Sequence, residues 1–132
     1  MNSSVSLVIF EGGRIESELE ELLRKVRQAI VLDQIEKAQL AGFERIILCT
    51  SYQDLATAAK PYAIEIEYQP LVTEEFHFGE RLLQTVKSKG LAKVLYMGGA
   101  AAPLISVSEL KYIKQILVDH DQVVTANNYF SA

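Results

Sequence analysis

The stretch KVLYMGGAAAPLIS, residues 93–106, decides the fold. Val94, Leu95, Tyr96 and Met97 read as a short strand buried on both faces, as in a parallel sheet covered by helices. The run stops at Gly98 and Gly99, which permit a close backbone approach that a Cβ obstructs. Ser106 with Glu109 three residues later is a capping-box pattern, opening a helix that carries Leu110, Ile113, Ile116 and Leu117. Open α/β sheets bind ligands beyond the carboxyl ends of their strands, so this glycine-alanine turn is where a small molecule is expected.

Working outward, Val5 to Phe10 has the length and flanks of a buried strand and ends at Glu11-Gly12-Gly13. Ser17 with Glu20 repeats the capping pattern, and Leu19, Leu22, Leu23, Val26 and Ile30 follow at helical spacing, continuing to a stop at Gly42. One helix over this span would be far longer than the strand, so a break or an overhang is expected near Val26 to Ala29. Arg45 to Thr50 reads as a second strand, and Ser51 with Asp54 as the start of a short helix that Pro61 ends. Ala63 to Tyr68 alternates, with Ile64 and Ile66 on one face and Glu65 and Glu67 on a wet one, as at a sheet edge. Glu80 to Lys89 reads as a helix stopped by Gly90, and Gln122 to Ala126 as a last short strand.

Strands alternating with helices make a three-layer α/β, Rossmann-like, mostly parallel sheet with helices on both faces the economical solution. The 132 residues suit a single domain, 1–132. Its end, an apolar strand followed by two asparagines and two aromatics, is unlike a finished polar tail, so the domain is expected to be incomplete at the C-terminus with an open sheet edge. That edge offers a route to a homo-oligomer.

With 13 basic and 17 acidic residues the formal charge is −4, which argues against a nucleic-acid partner. Arg24, Lys25 and Arg27 form the one local basic cluster and, set among glutamates, read as a solvated helix face. The single cysteine, Cys49, lies in an apolar run and reads as a core thiol. No apolar run approaches the ~18 residues of a membrane span and no leader pattern opens the chain, so no membrane partner and a cytoplasmic location are expected.

Gly12, Gly13 and Arg14 follow the first strand, where backbone N–H groups could cradle a phosphate and the arginine could supply charge-assisted hydrogen bonds. The pattern is neither a Walker loop nor a dinucleotide fingerprint. His77, in Phe76-His77-Phe78-Gly79, offers a ligand contact near a helix start, and Asn127 and Asn128 offer hydrogen bonds to a ribose or base. Each also has an ordinary structural reading: an exposed turn, a packing histidine, and a turn suited to asparagine. Two histidines and one cysteine far apart make no metal set.

Three stretches carry a resemblance to nucleotidyltransferase-like domains of the glycosyltransferase-A type, which include molybdenum-cofactor guanylyltransferases and sugar-phosphate nucleotidyltransferases. LVIFEGG, residues 7–13, resembles the family's opening strand and L-A-G-G turn. AIVLDQIEKAQLAGFERIIL, residues 29–48, resembles its first long helix and second strand, and residues 94–106 resemble its V-L-x-x-G-D-x-P-L-L-S stretch. The resemblance implies a nucleotide-binding sheet in which Gly12, Gly13 and Arg14 face the phosphates and base, while Gly98, Gly99, His77, Asn127 and Asn128 are candidates for the same nucleotide site from the reading of the residues themselves. It also implies Arg14 and Lys25 as catalytic cations and a magnesium ion as cofactor. In the family an aspartate after the central strand's glycine holds that ion, whereas here Gly98 is followed by Gly99 and alanines.

The implied reaction is attack by a small phosphorylated acceptor on the α-phosphate of a nucleoside triphosphate, releasing pyrophosphate. Without the aspartate, a second expectation is a catalytically inactive module that binds a nucleotide or sugar phosphate. A third is a piece whose main property is self-association.

Overall fold

In the computed structural model, residues 5–70, 78–99 and 101–120 are described. They form β1 (Val5–Glu11), α1 (Glu18–Leu40), β2 (Arg45–Thr50), α2 (Gln53–Ala59), β3 (Glu65–Tyr68), α3 (Phe78–Lys89), β4 (Lys93–Gly98) and α4 (Val107–Asp119). The four strands make one parallel sheet in the order β3-β2-β1-β4. Among the described residues β1 and β2 are therefore central, and their near-continuous apolar runs are what a sheet covered on both faces requires.

One face is packed by α1, α2 and α4. Val5, Leu7, Ile9, Ile46 and Leu48 from the strands meet Val31, Ile35 and Ala38 of α1, Leu55 and Ala59 of α2 and Leu110 of α4. The alternate strand residues Val8, Ile47 and Cys49 point to the other face, where Leu82 and Val86 of α3 cover them. Helices on both sides of a parallel sheet complete the three expected layers.

Several local expectations hold for the reasons the sequence offers. Ser17 Oγ accepts from the Glu20 N–H and caps α1, and Ser106 and Glu109 form both bonds of a capping box on α4. Gly42, at φ +87°, reverses the chain after α1, and the Phe43 N–H reaches back to the Ala38 carbonyl at 3.1 Å. Cys49 is buried, and burial, followed by the nearby Glu67 carboxylate, pushes its thiol up to about 11, which removes it as a nucleophile near neutral pH.

Of the break or overhang expected in the first helix, the overhang is what occurs: α1 is continuous over 23 residues, about 34 Å against about 23 Å for β1. Its N-terminal half overhangs the sheet, leaving Leu19, Leu22, Leu23 and Val26 exposed, because β1 is too short to lie beneath them. β4 is half-buried rather than buried on both faces, with Tyr96 39% exposed, because it is an outer strand of the described sheet. The α2 helix ends at Ala59, and Pro61 lies within a following turn of 3₁₀ helix, Lys60–Tyr62, where its missing N–H costs nothing. The Gln122 to Ala126 strand lies outside the described residues.

The face of β3 expected to be wet is instead an ion-pair layer. Arg45 of β2 and Lys89 of α3 hold Glu65 at 2.8 and 3.2 Å, and Arg81 of α3 holds Glu67 at 3.2 Å. Period-2 alternation shows that two faces differ, but not that basic residues from elsewhere arrive on one of them. The hydrogen bond from Arg45, with help from Lys89, holds the Glu65 carboxyl at about 2 instead of 4.5. Its contribution to stability is complete above about 4.5 and disappears as pH falls through about 2. Glu65→Gln is therefore expected to lower thermal stability at neutral pH, by about 1 kcal/mol or less because the pair is partly exposed, and to cost almost nothing at pH near 2. Thermal melts of both proteins across this range check it, and an equal loss at both ends would contradict the pairing.

Candidate functional site

The register places Phe10 opposite Gly98 across the β1–β4 pair, and Glu11 opposite Thr50 across the β1–β2 pair. From β1 the chain moves outward through β2 to β3, then returns to the other side of β1 for β4. The crevice between the carboxyl ends of β1 and β4 is thus the switch point of the sheet, the position where open α/β folds place ligands. Gly12 and Gly13 leave β1 there, and Gly98 and Gly99 leave β4. The turns that follow β1 and β4, far apart in sequence, thus open side by side at the mouth of this crevice.

The first glycine turn is closely packed. A Cβ on Gly12 would stand 2.7 Å from Ser51 Oγ, and the Gly13 N–H donates to that same oxygen at 3.2 Å. Gly13 adopts φ +128°, a region side chains disfavour. Ser51 therefore closes the turn after β1 rather than capping α2, whose N-cap is Tyr52 without a side-chain bond. Asp54, its expected capping partner, is taken by Arg24.

Arg24 and Arg27 are not a solvated face. Arg24 is buried and grips Glu21 through Nε and Nη2 at 3.0 and 2.6 Å, and both Asp54 oxygens through Nη1 at 2.9 and 2.8 Å. Its guanidinium also lies 4.9 Å from the centre of the Tyr52 ring. This clamp ties the overhang of α1 to the start of α2. Arg27 donates from Nε to Glu11 Oε2 at 3.0 Å. Glu11 is 7% exposed and the Arg27 side chain 35%. Burial, and then the Glu11 charge, push the Tyr52 phenol above its ordinary value, so its hydroxyl keeps its proton near neutral pH.

Glu11 also explains the second glycine pair. A Cβ on Gly99 would stand 2.6 Å from Glu11 Oε1, 2.8 Å from its Cδ and 3.2 Å from its Cβ. The Glu11 carboxylate fills the space that a side chain at position 99 would enter. Neither Glu11 nor Arg27 stood out in the sequence as a site residue. The signal was Glu11 itself, an acid ending an apolar strand immediately before two glycines.

Of the two expected cations, Arg14 is exposed at the mouth-side connection and makes no ion pair or hydrogen bond among the described residues. Lys25 is exposed on α1, two residues before Arg27 and hence about 200° around the helix from it. The structure does not bring Lys25 together with the glycines. His77, Asn127 and Asn128 lie outside the described residues.

The described residues do not fit a magnesium ion. Magnesium takes oxygen ligands, usually one or two carboxylates with substrate phosphates. The one carboxylate described at this crevice has Oε2 bonded to Arg27 and Oε1 packed on Gly99, with the arginine charge beside it. No group of three or more His, Cys, Asp or Glu able to hold a metal occurs among the described residues, nor is any of their helices long and apolar enough to cross a membrane.

No family model matches the sequence, and no match is found among curated protein sequences. Solved structures do match in fold. CMP:2-keto-3-deoxy-manno-octonic acid synthetase, solved in complex with CTP, aligns with a TM-score of 0.65 at 12% identity, over 88% of this chain and 48% of its own. A nucleotidyl transferase from Methanothermobacter aligns with a TM-score of 0.60 at 14% identity, over 86% and 58%. Rv0371c from Mycobacterium tuberculosis aligns with a TM-score of 0.56 at 16% identity, over 90% and 63%. The chain thus has a nucleotidyltransferase-like α/β fold, of which it spans about half to just under two thirds of the length seen in these structures.

Proposed function

We propose that this chain is the nucleotide-binding part of a nucleotidyltransferase-like protein, taking a nucleoside triphosphate at the β1–β4 crevice. The observation that carries the reading is the switch point itself, where the Phe10–Gly98 register sets the turns after β1 and β4 side by side. Open α/β sheets take their ligands at such a crevice. The structural neighbour solved with CTP supports a nucleotide as the ligand class. In this reading the nucleotidyl group passes to a small phosphorylated acceptor, and the chain's residues bind and orient the triphosphate while Arg14 bears part of its charge.

Calorimetric titration with each of the four common nucleoside triphosphates tests it. One of them is expected to bind, and Arg14→Ala to weaken it severalfold, roughly the loss of one charged hydrogen bond at an exposed site, with unchanged melting. Equal affinity in that variant removes Arg14 from the site, and no binding of any nucleotide defeats the reading.

A second reading, a binding module of the same fold without catalysis, is favoured by Gly99 and by the pairing of Glu11 with Arg27, which together leave no open carboxylate among the described residues of the crevice. Pyrophosphate release on adding a phosphorylated sugar or pterin acceptor separates the two: turnover excludes the module.

A further inference from the structure

We propose that Arg27 supplies from within the chain the phosphate contact that a divalent cation would supply, so that the crevice holds a nucleotide's phosphates without a metal ion. This rests on the nucleotide-binding reading above and adds to it the electrostatics of the site.

Three observations carry the inference. Glu11 is the last residue of β1, buried, and its carboxylate fills the space in front of Gly99. A carboxylate on position 99 and the Glu11 side chain exclude one another sterically, so position 99 offers a cation no carboxylate. Secondly, Glu11 is committed to an arginine, whose Nε bonds its Oε2 at 3.0 Å. A magnesium ion approaching Oε1 would meet that guanidinium as a like charge at close range. Thirdly, the pair is layered: Glu11 lies deeper, at 7% exposure, and Arg27 nearer solvent, at 35%.

A guanidinium has five N–H donors in a rigid fork. One is used by Glu11, and the Tyr52 hydroxyl lies beside the group. We assign donors beyond those that meet Glu11 and Tyr52 to phosphate oxygens. The buried acid orients the arginine, whose guanidinium is charged at any pH near neutrality, while Arg27 is the contact residue. The exchange is not one of equal charge: an acid with a bound divalent cation is net positive, whereas Glu11 with Arg27 is a neutral pair, so Arg27 holds phosphate oxygens through directed N–H donation rather than through an excess of positive charge.

The test is calorimetry of CTP, GTP, ATP and UTP in EDTA and in excess magnesium, with manganese binding followed by electron paramagnetic resonance on the wild-type chain. Expected are equal affinities for one nucleotide in both buffers and no manganese held by the chain beyond that on free nucleotide. Arg27→Ala is expected to lower affinity in EDTA by roughly tenfold or more, and Arg27→Lys to retain part of it. Since Arg27→Ala strands the Glu11 carboxylate, Glu11→Gln is compared with Glu11→Gln/Arg27→Ala, where the same loss is expected. Binding that requires magnesium, or manganese held by the chain and released in Glu11→Gln, overturns the inference while leaving a nucleotide site. Unchanged affinity without Arg27 overturns it too, and failure to bind any nucleotide in either buffer overturns it together with the reading beneath it.

Discussion

Gly99→Asp is expected to destabilise the chain by about 1–3 kcal/mol, and Glu11→Ala/Gly99→Asp to recover much of that loss. The single substitution places a Cβ 2.6 Å from Glu11 Oε1 and 3.2 Å from its Cβ, so Glu11 must leave a position in which it is buried and bonded to Arg27. It also sets a second carboxylate against the first where little water screens them. Truncating Glu11 opens that same space, and the introduced carboxylate gives Arg27 a new partner. The two positions should therefore couple by about 0.5–3 kcal/mol in a double-mutant cycle, read from urea unfolding of the four proteins. Simple additivity would mean that the side chains do not compete for one space, and the account of the crevice would lose its central contact.

Leu48→Ala should have the largest effect on stability, about 2–5 kcal/mol, with a fall in melting temperature of roughly 10–20 °C. Leu48 is fully buried on β2, between β1 and β3, and faces the core shared with α1 and α2. Removing its side chain loses transfer energy and leaves a cavity in a central strand that cannot close around it. The comparison that gives the number meaning is Leu22→Ala on the overhang of α1, where the side chain is 60% exposed. There the change should stay within about 0.5 kcal/mol. Thermal melts of both variants suffice, and a large loss at Leu22 would show that this half of α1 is covered.

Much of the fold was legible because the sequence states local physics directly. Apolar runs of strand length located β1, β2 and β4, and for β1 and β2 the reason is that a strand buried by helices has no polar face to alternate with. Ser17, Ser106 and Gly42 marked helix ends because capping is a contest among neighbouring residues, and the alternation of strands and helices implied the parallel layered sheet.

Only the tertiary structure decided which polar and charged side chains meet. Ser51 looked like a cap, yet its hydroxyl serves Gly13 from the neighbouring strand. Arg24 and Arg27 looked solvated, yet Asp54 and Glu11 reach them across intervals of 30 and 16 residues. Glu65 and Glu67 looked wet, yet Arg45, Lys89 and Arg81 arrive from β2 and α3. The physical reason is the same throughout. Periodicity and capping depend on residues a few positions apart, whereas the partner of a charge is set by register and helix placement, which bring together groups that local sequence does not connect.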